Sequence, residues 1–141
     1  MKRSTAETMV DLEAALERLA AGTRELTWDW DRRSSTAVGR VSAPEHLAVL
    51  TLLDDTFASC WDHQSIGAAP DVTRTIADGW GGLRPGQRLY TFDPDDAPLL
   101  FAAWWPWGSG TTFSVRFGCY LPPGADTQPA VDARVRAVFG A

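Results

Sequence analysis

Three of the seven tryptophans in this chain fall in the run Trp104-Trp105-Pro106-Trp107, and two more form Trp28-Asp29-Trp30. An indole brings a large apolar area and one N–H that needs a partner when buried. On a strand, Phe101, Ala103 and Trp105 share one side, while Ala102 and Trp104 share the other. If helices cover only one side of the sheet, Trp104 is expected on the open side with Arg116 and Tyr120, flanked by Trp105 and Trp107. Aromatic rings with one guanidinium suit a planar or anionic ligand. The same residue types are enriched at the centres of protein interfaces. The plainer reading is packing, because large aromatics are mostly buried in any fold. Trp28 and Trp30 carry the same two readings.

Other chemistry-bearing residues are sparse. Asp29 and Asp31 stand about 7 Å apart on one side of a strand, close enough to share a cation or to work as an acid/base pair. Simple solvated charges beside Arg32 and Arg33 are the commoner case. Asp54 is expected at the edge of a helical apolar stripe, where a half-buried carboxylate is a candidate acid/base. His46 points towards the apolar side of its helix and reads as a packed, hydrogen-bonded ring. His63 is expected at the C-terminus of the same helix, on its polar side. With two histidines so placed and no cysteine pair, no metal site is expected.

Gly79-Trp80-Gly81-Gly82-Leu83-Arg84-Pro85-Gly86 has the glycine content of a phosphate-binding loop. A strand follows it, whereas such loops need a helix N-terminus. Asp93, Asp95 and Asp96 lack the glycine and terminal glutamate of a calcium loop. Ser109 lies in a hairpin turn, not in a nucleophile elbow. No cofactor is implied.

The elements that must position these residues follow from periodicity. Ser4 and Glu7 have capping-box spacing ahead of Met9, Leu12, Leu16 and Leu19, which predicts a helix stopping at Gly22. Leu26, Trp28 and Trp30 alternate with polar residues as a strand, and Thr36 to Val41 is its antiparallel partner after a turn at Arg32 to Ser35. Ser42 and Glu45 form a second capping box with Pro44 in the first turn. The helix behind it is expected to run through Asp62, with Leu47, Leu50, Leu53, Phe57, Cys60 and Trp61 as its stripe. A short helix spans Asp71 to Asp78. Strands follow at Arg88 to Phe92, Leu99 to Trp105 and Thr112 to Leu121, with a connection at 93–98. In the last strand Phe113, Val115, Phe117 and Cys119 oppose Ser114, Arg116 and Tyr120. A final helix from about Asp126 buries Val131, Val135, Val138 and Phe139. The expected fold is α+β, in the order α-β-β-α-α-β-β-β-α. About five antiparallel strands form a sheet with helices packed on one face.

Residues 1–141 read as one domain, long enough to bury about two-thirds of its unfolded surface without a disulfide or metal. The 45% hydrophobic and 22% charged shares are those of ordinary globular proteins. A net charge of −5 disfavours nucleic acid and anionic membranes as partners. Neither a signal-type apolar core nor a run long enough to span a membrane is seen, so a cytoplasmic location with Cys60 and Cys119 reduced in the core is expected. The functional expectation is a small acidic binding protein that uses a tryptophan-rich sheet surface for a protein partner or an apolar ligand. The alternative is a small enzyme or cyclase-like protein with a tryptophan-lined cavity and Asp54 as its acid/base.

Overall fold

A computed structural model describes residues 5–92, 98–108 and 110–141. The Ser4 cap and the acidic 93–97 segment lie outside the described residues, as does Ser109. Helix α1 (Thr5–Gly22) leads into the hairpin β1 (Trp28–Asp31) and β2 (Thr36–Ser42). The capping box forms as its spacing requires, with Ser42 N–H and Oγ both donating to Glu45. It opens a 3-10 turn, Ala43–Glu45, and α2 follows over His46–Thr56. Next come β3 (Ser59–Trp61), α3 (Asp71–Asp78), β4 (Arg88–Thr91), β5 (Leu99–Pro106), β6 (Thr112–Tyr120) and α4 (Gln128–Phe139). The six strands form one antiparallel sheet in the order β1-β2-β6-β5-β4-β3.

The strand β3 and the shorter α2 are departures from the sequence reading. Phe57 is already extended, at φ −92 and ψ 150, although its N–H still donates to Leu53 O. Ser59, Cys60 and Trp61 then pair with Thr91, Tyr90 and Leu89 along the open edge of β4. A helical spacing of apolar residues is a local preference, and a free strand edge overrides it. The buried stripe of α2 is also rotated from the expected one. Val49 and Leu53 are buried, whereas Leu47 is 67% exposed. His63 therefore lies in a turn instead of at a helix terminus, and Cys60 is exposed while Cys119 is buried.

Helices α1 and α4 bury the stripes their amphipathic patterns predict, and α2 buries a rotated one. Leu12, Leu16 and Leu19 of α1, Val49 and Leu53 of α2, and Val131, Val135 and Phe139 of α4 close over one sheet face. That face presents Ala37, Val41, Tyr90, Leu100, Ala102, Trp104, Phe113, Val115 and Phe117. Each fully buried leucine or phenylalanine there contributes roughly 1.5–3 kcal/mol. Gly39 is needed at its position: a Cβ there would lie 2.8 Å from the Trp28 ring, which lies across it. Trp28 in turn packs 5.5 Å from Phe117 and 4.7 Å from Phe139.

The remaining helix, α3, departs from a one-faced layer. Its Ile76 and Ala77 cover Leu89, Leu99 and Phe101 on the opposite face, with Trp61, Trp80 and Leu83 around them. Those apolar side chains of β4 and β5 alternate away from the main core and need a cover of their own. The cover reaches only the β3–β4–β5 half, so the second face over β1, β2 and β6 stays open.

Candidate functional site

Strand register decides which side chains meet on the open half. Asp29 pairs with Val38, and Val38 with Arg116, so these lie in one row across three strands. The next row joins Arg40 to Ser114 and Ser114 to Trp105. Beyond it Ser42 pairs with Thr112. All of these except Trp105, together with Glu25, Glu45 and Trp107, line a trough of about 600 Å3. Trp107 is held at the hairpin tip by its backbone: its N–H donates to Thr112 O at 2.9 Å and its carbonyl accepts from Gly110 N. Its indole is 53% exposed.

Arg116 is fixed in place. Its Nη1 donates to Asp31 Oδ2 at 2.6 Å and reaches Ser34 Oγ and Thr36 Oγ1, each at 3.4 Å. Burial acts to raise the Asp31 carboxyl. Hydrogen bonds from Arg116 and from Arg33 N–H, with the Arg116 charge, outweigh that and hold it below the ordinary aspartate value. The pair of carboxylates on β1 is therefore split: Asp31 is committed to Arg116, while Asp29 is exposed and faces the trough. No group of three or more His, Cys, Asp or Glu side chains suited to a metal exists among the described residues.

The floor holds an unpartnered polar group. Ser114 is 6% exposed, and its Oγ has no hydrogen-bond partner among the described residues. Such a hydroxyl costs about 1–3 kcal/mol relative to a satisfied one. Arg40, across the strand from it, is exposed and has no ion-pair partner among the described residues. Outside the trough, on the side of α3, Trp80 lies edge-on to Trp105 at 5.5 Å and to Phe101 at 5.6 Å. Tyr120, half-buried, joins Trp80 and Arg116 around an adjoining depression.

The tryptophans divide differently from the sequence reading. Trp104 pairs with Val115, not with a residue of the Arg116 row, and therefore faces the helices. It is 3% exposed and stacks on Phe113 at 5.0 Å, with His46 also stacked on Phe113 at 4.8 Å. Trp105 takes its place on the second face, between Ser114 and Trp80. A register change of one residue moves every side chain to the other face, and the hairpin of residues 107–111 sets that register. Trp28 and Trp30 also face the helices, the second beneath the Arg136 guanidinium at 6.0 Å. His46 is packed as its position implied, with Nδ1 2.5 Å from Ala43 O.

Asp54 is exposed and sits on the outside of α2, where its charge acts on Cys60, Arg88 and Tyr90. It does not face a tryptophan-lined cavity. The residues missed from sequence are Ser114, Arg40, Glu25 and Trp80. Ser114 and Arg40 were legible in principle, since each alternates with apolar neighbours on the same strand parity as Arg116 and Val38.

No family model matches this chain, and no curated protein or solved structure matches it either. No helix among the described residues is long and apolar enough to cross a membrane.

Proposed function

We propose that this protein is a non-catalytic binding module whose protein partner docks on the open β1–β2–β6 face. The observation that carries this reading is the half-covered second sheet face. It presents an exposed indole, a clamped guanidinium and an unpaired buried hydroxyl in one trough. Exposed tryptophan and fixed arginine are the side chains that anchor interfaces, because each gives up little freedom on binding. The alternative of a cyclase-like enzyme with Asp54 as its acid/base would need that carboxylate aimed into an enclosed site, whereas it is exposed.

A second, narrower reading concerns an apolar ligand. Leu12, Ala15, Phe92, Pro98 and Leu100 line a cleft of about 290 Å3, and Thr56 Oγ1 at its wall has no hydrogen-bond partner among the described residues. Native mass spectrometry of tagged protein recovered from host lysate separates the two. The expected result is a stoichiometric protein partner retained by the natural sequence and lost from Trp107→Ala. A bound small mass that Trp107→Ala retains would overturn the interface reading in favour of the cleft.

A further inference from the structure

Building on the trough as a docking surface, we propose that its occupant is a lysine- or arginine-rich segment of a protein partner. The trough's charge balance is the first support. Glu25, Asp29 and Glu45 line it, against one uncommitted guanidinium, Arg40. Arg116 adds no free positive charge, because Asp31 neutralises it at 2.6 Å. The site is thus acidic even though two arginines line it, and the chain as a whole carries the same sign, at −5. Fields of this kind speed encounter with cationic partners and repel a second copy of the chain.

Trp107 and the carboxylates fit a cation in particular. Trp107 offers an exposed indole face at the mouth of the trough, and a guanidinium or ammonium within about 6 Å of such a ring is attracted by its quadrupole. At the floor, the Ser114 hydroxyl is buried with no partner among the described residues. Lysine and arginine donate hydrogen bonds and accept none, so they complement the carboxylates that line the trough. A segment of chain suits the site better than a free polyamine. The trough is open along the sheet, and partner backbone and apolar stems can cover Val38 and Trp107 while the charged heads reach the rim.

The test uses the full chain and a display library of random short peptides. Peptides enriched on the natural sequence are expected to carry net positive charge. Their affinity is expected to fall at least about tenfold in the double variant Glu25→Lys/Asp29→Lys, whose two positions are exposed, and to weaken as added salt shortens the screening length below about 10 Å. Far-UV circular dichroism checks that the double variant is folded. Enrichment of neutral or acidic peptides, no enrichment at all, or equal affinity in the double variant would each overturn the cationic partner. Trp107→Ala distinguishes the two levels. If it abolishes peptide binding while the double charge variant does not, the trough stands and the charge assignment falls. If neither variant changes binding, both fall. Spermidine that competes for the site as well as the enriched peptides would likewise sink the requirement for a protein segment.

Discussion

Truncating Trp104 and Trp107 to alanine, one at a time, should give opposite results from residues three positions apart. Trp104 is 3% exposed, with its ring 5.0 Å from Phe113 and nearly parallel to it, and it belongs to the main core. Its removal forfeits the transfer free energy of the indole and leaves a cavity that the strands on either side cannot close. The expected loss is about 3–5 kcal/mol. In a domain whose total stability is of order 5–15 kcal/mol, that lowers the melting temperature by roughly 10–20 °C. Trp107 is 53% exposed, and its structural bonds are made by its backbone, which alanine keeps. Its truncation should change stability by no more than about 0.5 kcal/mol. Urea unfolding followed by circular dichroism reads both, and comparison of the m-values shows whether either variant departs from two-state behaviour. A loss below about 1 kcal/mol for Trp104→Ala together with one above about 2 for Trp107→Ala would refute the assignment of core and surface, and with it the register of β5 on β6.

Three other perturbations probe separate features. Asp31→Asn should cost about 1–2 kcal/mol at neutral pH, because the pair it breaks is only 21% and 30% exposed. The Asp31 carboxyl is lowered on folding from its ordinary 3.8, so its contribution is complete above that pH and is lost as pH falls through the folded value. Urea midpoints of the natural protein and the Asp31→Asn variant should therefore converge in strong acid, and a constant gap would show that Arg116 does not set the carboxyl's titration. Gly39→Ala drives a methyl to 2.8 Å from the Trp28 ring and should cost about 1–3 kcal/mol, with a changed near-UV spectrum as the indole shifts off Phe139. Thr73→Val should stabilise by about 1 kcal/mol, since the Thr73 hydroxyl is fully buried with no partner among the described residues. A lower melting temperature for the Thr73→Val variant than for the natural protein would mean that the hydroxyl is bonded after all.

The parts of the fold legible in the sequence are those in which local pattern and tertiary environment agree. The alternation of Phe113, Val115, Phe117 and Cys119 gives β6 its buried face, and Leu12, Leu16 and Leu19 give α1 its stripe. The capping residues Ser42 and Glu45 mark the next helical turn to the residue. Where several partners compete, pattern alone is insufficient. Phe57, Cys60 and Trp61 continue a helical period by coincidence, and the free edge of β4 captures the last two as strand. A buried face also looks the same whichever helix covers it, so nothing in Leu89, Leu99 and Phe101 announces that α3 packs opposite the other helices. The site suffers from the same ambiguity. Alternation correctly separates Trp104 from Trp105, but the parity that joins one of them to Arg116 resides in the turn, whose geometry short polar and glycine residues leave open. Arg116 and Trp107 were found from residue type, whereas Ser114 becomes conspicuous only once its lack of a partner can be seen.

Among the seven indoles of this chain, Trp104 and Trp107 mark the extremes of exposure, 3% and 53%, and so of access to dissolved quenchers. An indole sealed against Phe113 inside the core is screened from dissolved quenchers, whereas the indole at the hairpin tip is open to them. Iodide or acrylamide added to the folded protein will therefore silence the surface contribution first and leave the interior emission as a monitor of integrity. A partner seated in the trough would shield Trp107 and restore the quenched fraction without altering the interior signal. A single titration can thus report occupancy and folding separately, with no label attached, and substituting phenylalanine at position 107 supplies its own blank.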